Sequence, residues 1–156
     1  MIDLKIKLLS DTAHLPEKQH YNDCAFDVYC DFPTSTIYGT CEKGVVEIPP
    51  HSTAMIPTGF AAEVPDGYYM ALYARSGIAS KRSLAPINAV GLIDAGYRDE
   101  VMVPLHNHSN VTQYVRHGER IAQMMICPII ETNIVQCDDL RSDNDRQGGF
   151  GSSGTL

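Results

Sequence analysis

Asn-Ala-Val-Gly-Leu-Ile-Asp-Ala-Gly-Tyr-Arg-Asp-Glu-Val-Met-Val, residues 88–103, is the stretch around which the chain is organised. Leu92 and Ile93 lead into one carboxylate, Asp94, and Ala95, Gly96 and the aromatic Tyr97 follow. Gly91 and Gly96 permit positive φ and close approach of the backbone to a ligand. From Glu100 to Leu105 the residues alternate as in a strand. The stretch predicts a β-hairpin that presents backbone amides, with an acid and an aromatic ring at its mouth. An ordinary hairpin whose Asp only makes a turn fits the same residues, so the rest of the chain has to decide between them.

Outward from this stretch the chain reads as many short strands. Residues 3–9 alternate, and residues 10–23 are a polar loop. Ala25 to Tyr29 is a short strand carrying one acid, Asp27, and residues 33–44 are a hairpin excursion. Val45 to Ile48 is a strand stopped by Pro49-Pro50. Residues 52–64 read as a strand broken at Pro57 and Gly59, and Pro65-Asp66-Gly67 is a turn in which Gly supplies the positive φ. Tyr68 to Ala74 is a strand, and residues 78–84 form a short helix after Ser76-Gly77. Residues 111–115 and 120–130 are strands around a His117-Gly118 turn. Strands at this spacing with turn signals between them predict an all-β sandwich or barrel.

With 156 residues the chain is expected to be one domain with a real core. No run approaches the roughly 20 apolar residues of a membrane span, and the start has no basic-then-apolar leader pattern. The expected setting is intracellular, with no membrane partner. The formal net charge of −7 argues against general nucleic-acid binding. Residues 1–74 hold four basic and ten acidic side chains, and residues 75–156 hold eight and nine. An anionic ligand is therefore expected at the second half, where local positive charge or a metal overrides the global field. The 5 cysteines show no Cys-x-x-Cys spacing and are expected to be small buried hydrophobes in a reducing compartment.

Three further groups carry chemistry. Arg75-Ser76-Gly77 ends a strand and opens the helix, where a hydroxyl, a guanidinium and free amides suit a phosphate; Ser76 as a plain N-cap is the alternative. Gly118 to Gln123 begins a strand on which Arg120 and Gln123 either address phosphate or metal-bound water or form a structural ion pair. Asp27, in an apolar strand, requires a backbone donor, an Arg, or water on a cation; the last would mean Mg²⁺ shared with substrate phosphates. His106-Asn107-His108 lacks a third ligand, and no metal is assigned there. From Asp138 the composition turns polar and glycine-rich with one aromatic, Phe150, which reads as a disordered terminus or as an arm that orders on a ligand.

In order and content these pieces resemble the trimeric deoxyuridine triphosphate nucleotidohydrolase (dUTPase) family. The carriers are Cys24-Ala25-Phe26-Asp27-Val28, Arg75-Ser76-Gly77-Ile78-Ala79, Gly91-Leu92-Ile93-Asp94-Ala95-Gly96-Tyr97-Arg98, Gly118-Glu119-Arg120-Ile121-Ala122-Gln123, and Arg146-Gln147-Gly148-Gly149-Phe150-Gly151-Ser152-Ser153-Gly154. The resemblance implies a jelly-roll-like β-sandwich (a β-clip) over residues 1–137, with one short helix and a flexible arm, 138–156, that closes over the active site. It implies a homotrimer with active sites shared between subunits, and Mg²⁺-dependent hydrolysis of dUTP to dUMP and pyrophosphate. Carried over by position, Asp94 orients and deprotonates the water that attacks the α-phosphorus. Arg75, Ser76 and Gly77 hold the phosphates, and Gln123 lies near them and the metal waters. Asn88 and the backbone from Gly91 through Leu92 and Ile93 to Asp94 read the uracil edge. Tyr97 packs under the deoxyribose and Met102 lines that pocket. Arg146 grips the γ-phosphate, and Phe150 stacks on uracil with Gly151 and Ser152 beside it. Asp27 holds a water on the metal.

Two departures stand out. Gly96 replaces a frequent second Asp, and the arm has one residue fewer than usual between Arg146 and Phe150. Among rivals, dCTP deaminase shares the fold and the Asp-Ala-Gly-Tyr run, but it needs a Glu ten residues after the hairpin Asp, where this chain has Pro104. A nucleotide-gated module that engages a protein partner is the rival of another class. A purely structural trimer leaves the clustered glycines and arginines unexplained.

Overall fold

A computed structural model describes residues 2–32 and 44–140. Its elements in chain order are β1 (Lys5–Leu8), β2 (Phe26–Tyr29), β3 (Val45–Ile48), β4 (Thr53–Glu63), β5 (Tyr68–Ala74), α1 (Ser76–Arg82), β6 (Leu84–Pro86), β7 (Val90–Ile93), β8 (Glu100–Asn107), β9 (Gln113–Arg116) and β10 (Arg120–Pro128). One antiparallel sheet runs β1-β4-β8-β6, a second β2-β10-β5-β7, and β3 pairs with β9. The expected all-β sandwich with one short helix is what forms.

The core lies between the two large sheets. In β8 the alternation is strict: Val101, Val103, Leu105 and Asn107 are buried, while Glu100, Met102, Pro104 and His106 take the other face. Val101, Val103 and Leu105 meet Ile56 and Phe60 of β4 and Met70 and Leu72 of β5 in one cluster. Removing this apolar surface from water is the main driving force, worth about 1.5–3 kcal/mol per large side chain. Asn107 is polar yet fully buried. Its amide nitrogen donates to the carbonyls of Ile48, Pro49 and Val111, and its Oδ1 accepts from the Ser109 amide and hydroxyl. Those bonds tie the end of β8 to β3 and to the loop before β9.

Several expectations need correction. Residues 88–103 do not form a hairpin: β7 pairs with β5, whereas β8 pairs with β4 and β6, in the opposite sheet. Residues 94–99 are therefore a corner that carries the chain from one sheet to the other. Gly91 and Gly96 do not have positive φ; Ala89 does, at 60°. Gly91 instead permits close packing, since a Cβ there would sit 3.3 Å from Leu72 Cβ. The helix begins at Ser76 rather than 78. Arg75, extended, holds the N-cap position without a side-chain cap bond, so Ser76 is not the cap. The helix closes on a left-handed Ser83, with Lys81 and Arg82 in the last turn, where the helix dipole favours cations. Among the described residues only Cys30 is a fully buried cysteine: Cys24 and Cys137 are exposed and Cys127 is half-buried, while Cys41 lies outside them. Burial pushes the Cys30 thiol up to about 12, so it stays protonated and inert.

β4 is also continuous, not broken at Pro57 and Gly59. The proline and glycine are absorbed by a register shift between Pro57 and Ala61. Around this bulge the Thr58 hydroxyl donates to Val101 O (2.6 Å), the Gly59 amide donates to Glu100 Oε1 (2.8 Å), and Leu9 N donates to Gly59 O (2.8 Å). Buried Asp31 braces it, accepting from Ser10 Oγ (2.5 Å) and Thr12 Oγ1 (2.6 Å).

Gly59 has φ +70°, and a Cβ on it would lie 2.5 Å from Asp31 Oδ2 and 2.6 Å from Ala13 Cβ. Gly67 has φ +79° with nothing within 4 Å. Gly59→Ala should therefore lose about 2–4 kcal/mol, from backbone strain plus overpacking, against about 1 kcal/mol for Gly67→Ala. Denaturant unfolding of both variants at one protein concentration checks the ordering.

Candidate active site

The second sheet gathers the polar residues. By register, Asp27 of β2 pairs with Gln123 of β10, Gln123 with Tyr73 of β5, and Tyr73 with Val90 of β7, so the four stand in one rank. Asp27 is 3% exposed. An ionised carboxylate so buried must be paired, and it is: Arg75 Nε donates to Oδ1 (3.1 Å), Arg120 Nη1 to Oδ2 (3.0 Å), and Gln123 Nε2 to Oδ1 (3.3 Å). Of the partners left open by the sequence, the structure selects arginine, twice.

A local irregularity makes this cluster possible. Side chains alternate along a strand, so Arg120 and Gln123, three apart, would face opposite ways. A register shift between Arg120 and Ala122 adds the missing residue and turns both toward Asp27. Its trace in the sequence is the consecutive apolar pair Ile121-Ala122, both fully buried. Sequence reasoning weighed Arg120 but did not place it on Asp27.

The cluster opens into a cleft of about 550 Å³, lined by Gln19, His20, Asp27, Arg75, Arg120 and Gln123 among others. Its two guanidiniums face two carboxylates, Asp27 and Asp23, so the cleft is locally balanced in a chain of net charge −7. Arg75 is half-buried, with exposed Ser76 and then Gly77 starting α1. A Cβ on Gly77 would approach Arg75 Nη1 to 3.3 Å, so glycine keeps the guanidinium room. A larger, mostly apolar cleft beside Leu4, Phe26 and Ile126 contains none of the candidate residues.

The second group lies along β7 and the corner. Asn88 is exposed, with Nδ2 3.4 Å from where a Gly91 Cβ would stand. Leu92 is exposed, and Ile93 packs against the core. At the corner, Tyr97 N donates to Asp94 O (3.1 Å), and the Tyr97 hydroxyl donates to Glu100 O (2.8 Å), which holds the ring in place. Arg98 Nη1 donates to the carbonyls of Ala95 (2.5 Å) and Tyr97 (2.8 Å). Asp94 is exposed, and among the described residues its carboxylate has no ion pair or side-chain hydrogen bond. Met102, on the outward face of β8, is half-buried.

Within one chain the start of β7 stands beside the first group, Val90 opposite Tyr73, but the Asp94 end does not reach Arg75. Ile93 pairs with Met70, and Met70 lies five residues before Arg75 on the same extended run. At ~3.3 Å per residue this separates the Asp94 corner from Arg75 by roughly 16 Å or more. Arg146, Phe150, Gly151 and Ser152 lie outside the described residues. Among the described residues no three His, Cys, Asp or Glu side chains are grouped to hold a metal directly. Asp27 already accepts three donors, and a carboxylate has about four acceptor positions. That fits one contact through water and not direct ligation.

Comparison with known proteins bears on the fold and the family. The family model for dUTPase matches residues 11–154. The deoxyuridine 5'-triphosphate nucleotidohydrolase of Picosynechococcus sp. is 39% identical over 152 residues, 97% of this chain and 99% of that protein. The enzyme of the same name from Clostridium tetani is 37% identical over 151 residues, 97% and 96% of the two chains. Among solved structures, the dUTPase of Staphylococcus bacteriophage 80alpha with dUpNHpp has a TM-score of 0.81 at 28% identity, covering 99% of each chain. A mutant dUTPase from phage phi11 of S. aureus, described with a structural Mg(II) ion, has a TM-score of 0.75 at 25% identity, covering 90% of this chain and 100% of that one. With a family model across most of its length and relatives matched nearly end to end, the chain belongs to the dUTPase family.

Proposed function

We propose that the protein hydrolyses dUTP to dUMP and pyrophosphate by attack of water on the α-phosphorus, in the intracellular nucleotide pool, with Mg²⁺ and as a homotrimer whose subunits share each site. The observation that carries the reading is Asp94: an exposed carboxylate with no partner among the described residues, on a corner braced by Tyr97 and Arg98. A carboxylate held but unpaired can take a proton from water, whereas Asp27 is occupied by two arginines and serves instead as an anchor.

The division of labour we propose draws on the geometry and on the family motifs. Arg75, with Ser76 and Gly77, binds the phosphate chain by charge-assisted hydrogen bonds. Gln123, whose amide nitrogen is on Asp27, has its oxygen left to accept from water beside the phosphates. Asp27 and Gln123 would hold the metal through its waters; Mg²⁺, when bound, would neutralise phosphate charge at the scissile bond. Asn88 and the backbone of Gly91, Leu92, Ile93 and Asp94 offer the edge that tells uracil from cytosine, whose donor and acceptor are reversed. The Tyr97 ring, pinned through its hydroxyl, would lie under the deoxyribose, with Met102 beside it, and leave no room for a 2′-hydroxyl. By the family motif, Arg146 takes the γ-phosphate, and Phe150, Gly151 and Ser152 close over the base from the arm, residues 138–156.

Sharing between subunits is supported by the separation of Asp94 from Arg75, and by unsatisfied apolar surface. Ile130 is 85% and Ile134 94% exposed in the single chain, while the apolar cleft beside Leu4, Phe26 and Ile126 is open. Such side chains are stabilised when a second copy covers them.

Three outcomes are expected. Asp94→Asn should keep trimer and nucleotide binding while kcat falls ~10²–10⁴-fold, the usual worth of a general base; steady-state kinetics and calorimetry with dUpNHpp check this. In Tyr97→Ala, the ratio of kcat/KM for dUTP over UTP should drop, since the ring that excludes the 2′-hydroxyl is gone. Finally, Asp94→Asn and Arg75→Ala chains, each nearly inactive alone, should regain hydrolysis when refolded together. Mixed trimers then contain sites with Asp94 from one chain and Arg75 from the other. Verified mixed trimers without activity would mean that both groups serve one site from a single chain.

A further inference from the structure

We propose that Arg120 is a positioning residue that keeps Arg75 available to phosphate: by occupying one oxygen of Asp27, it confines Arg75 to the other oxygen through Nε alone. This rests on the reading of the Arg75 cleft as a phosphate site. A guanidinium facing a free carboxylate closes on it as a fork, with two parallel N–H donors on two oxygens. Arg75 does not. Its Nε reaches Asp27 Oδ1 at 3.1 Å, while Oδ2 is held by Arg120 Nη1 at 3.0 Å. Gln123 Nε2 adds a third donor on Oδ1. Both terminal nitrogens of Arg75 therefore stay clear of the carboxylate, and Nη1 lies beside Gly77 at the start of α1.

The other acids near Arg120 form no ion pair with it among the described residues. Glu17 is taken by the Tyr29 hydroxyl (2.5 Å) and Gln19, and Asp23 accepts from the His20 amide (2.8 Å). Glu119, next in sequence, is bonded to Arg82 and to the Arg116 amide. Among the described residues Asp27 is the ion-pair partner of Arg120, and the bulge in β10 is what aims it there. Without Arg120, Oδ2 opens, the Arg75 fork rotates to close on both oxygens, and one terminal nitrogen is withdrawn from the cleft. Arg120 thus acts on the phosphates through Asp27 and Arg75.

The test is a double-mutant cycle. Binding of pyrophosphate, dUpNHpp and deoxyuridine is measured by calorimetry, and dUTP hydrolysis by steady-state kinetics. The proteins are the full chain and its Arg120→Ala, Arg120→Lys, Asp27→Asn and Asp27→Asn/Arg120→Ala variants. Arg120→Gln replaces Arg120→Ala in the cycle if the alanine variant does not fold. Arg120→Ala should weaken pyrophosphate and dUpNHpp by about tenfold, the order of one charge-assisted hydrogen bond, and leave deoxyuridine unchanged. KM should rise more than kcat falls. Arg120→Lys should recover most of the loss, because an ammonium also occupies Oδ2. In the Asp27→Asn background, removing Arg120 should cost nothing further. A full additional loss in the double variant, or unchanged pyrophosphate affinity in Arg120→Ala, overturns the proposal. Failure of the unmodified chain to hydrolyse dUTP while it still binds pyrophosphate would instead overturn the functional reading alone.

Discussion

A single buried carboxylate organises the polar half of this protein. Asp27 is held nearly out of water in the middle of a β-sheet, and its charge is tolerable only because two guanidiniums and an amide converge on it. That requirement fixes where β2, β10 and the end of β5 must stand relative to one another. It also gathers two guanidiniums at one cleft, although the chain as a whole is acidic. Binding a polyanion on such a protein depends on this kind of local concentration, since the long-range field is unfavourable and screened within about 10 Å at ordinary salt.

The second constraint is the corner at residues 94–99. Because β7 and β8 belong to opposite sheets, the chain must cross the edge of the sandwich, and there the backbone is not committed to a ladder. Side chains and main chain of the corner itself do the bracing, through Tyr97 on Glu100 and Arg98 on Ala95 and Tyr97. The bonds around Gly59 support it from behind, since Glu100, the first residue of β8, accepts the Gly59 amide. The braced corner presents Asp94 to solvent, unpaired among the described residues, the opposite treatment from Asp27. Two acids of the same type are thus held in opposite environments, one buried and paired, the other exposed.

Much was legible in the residues themselves. Strand alternation, the Pro65-Asp66-Gly67 turn with Gly67 at positive φ, and the chemistry-bearing identities of Asp94, Tyr97, Arg75 and Gln123 are local properties of side chains and backbone. The family motifs follow from the same local order and spacing. Even the burial of Asp27 was foreshadowed by its apolar neighbours in Phe26-Asp27-Val28.

What only the tertiary structure decided concerns partners and sides. Strand pairing is a long-range choice, so a run that looked like one hairpin was divided between two sheets. A proline and a glycine that looked like a break in β4 were bridged by Thr58, Glu100 and Leu9, all invisible to a local window. Arg120 reached Asp27 because one extra residue in β10 reversed its side, a change that periodicity forbids and a bulge permits. The distance between Asp94 and Arg75 likewise depends on register. Sequence determines which groups are present and their local preferences, whereas their meeting depends on packing free energy summed over the whole sandwich.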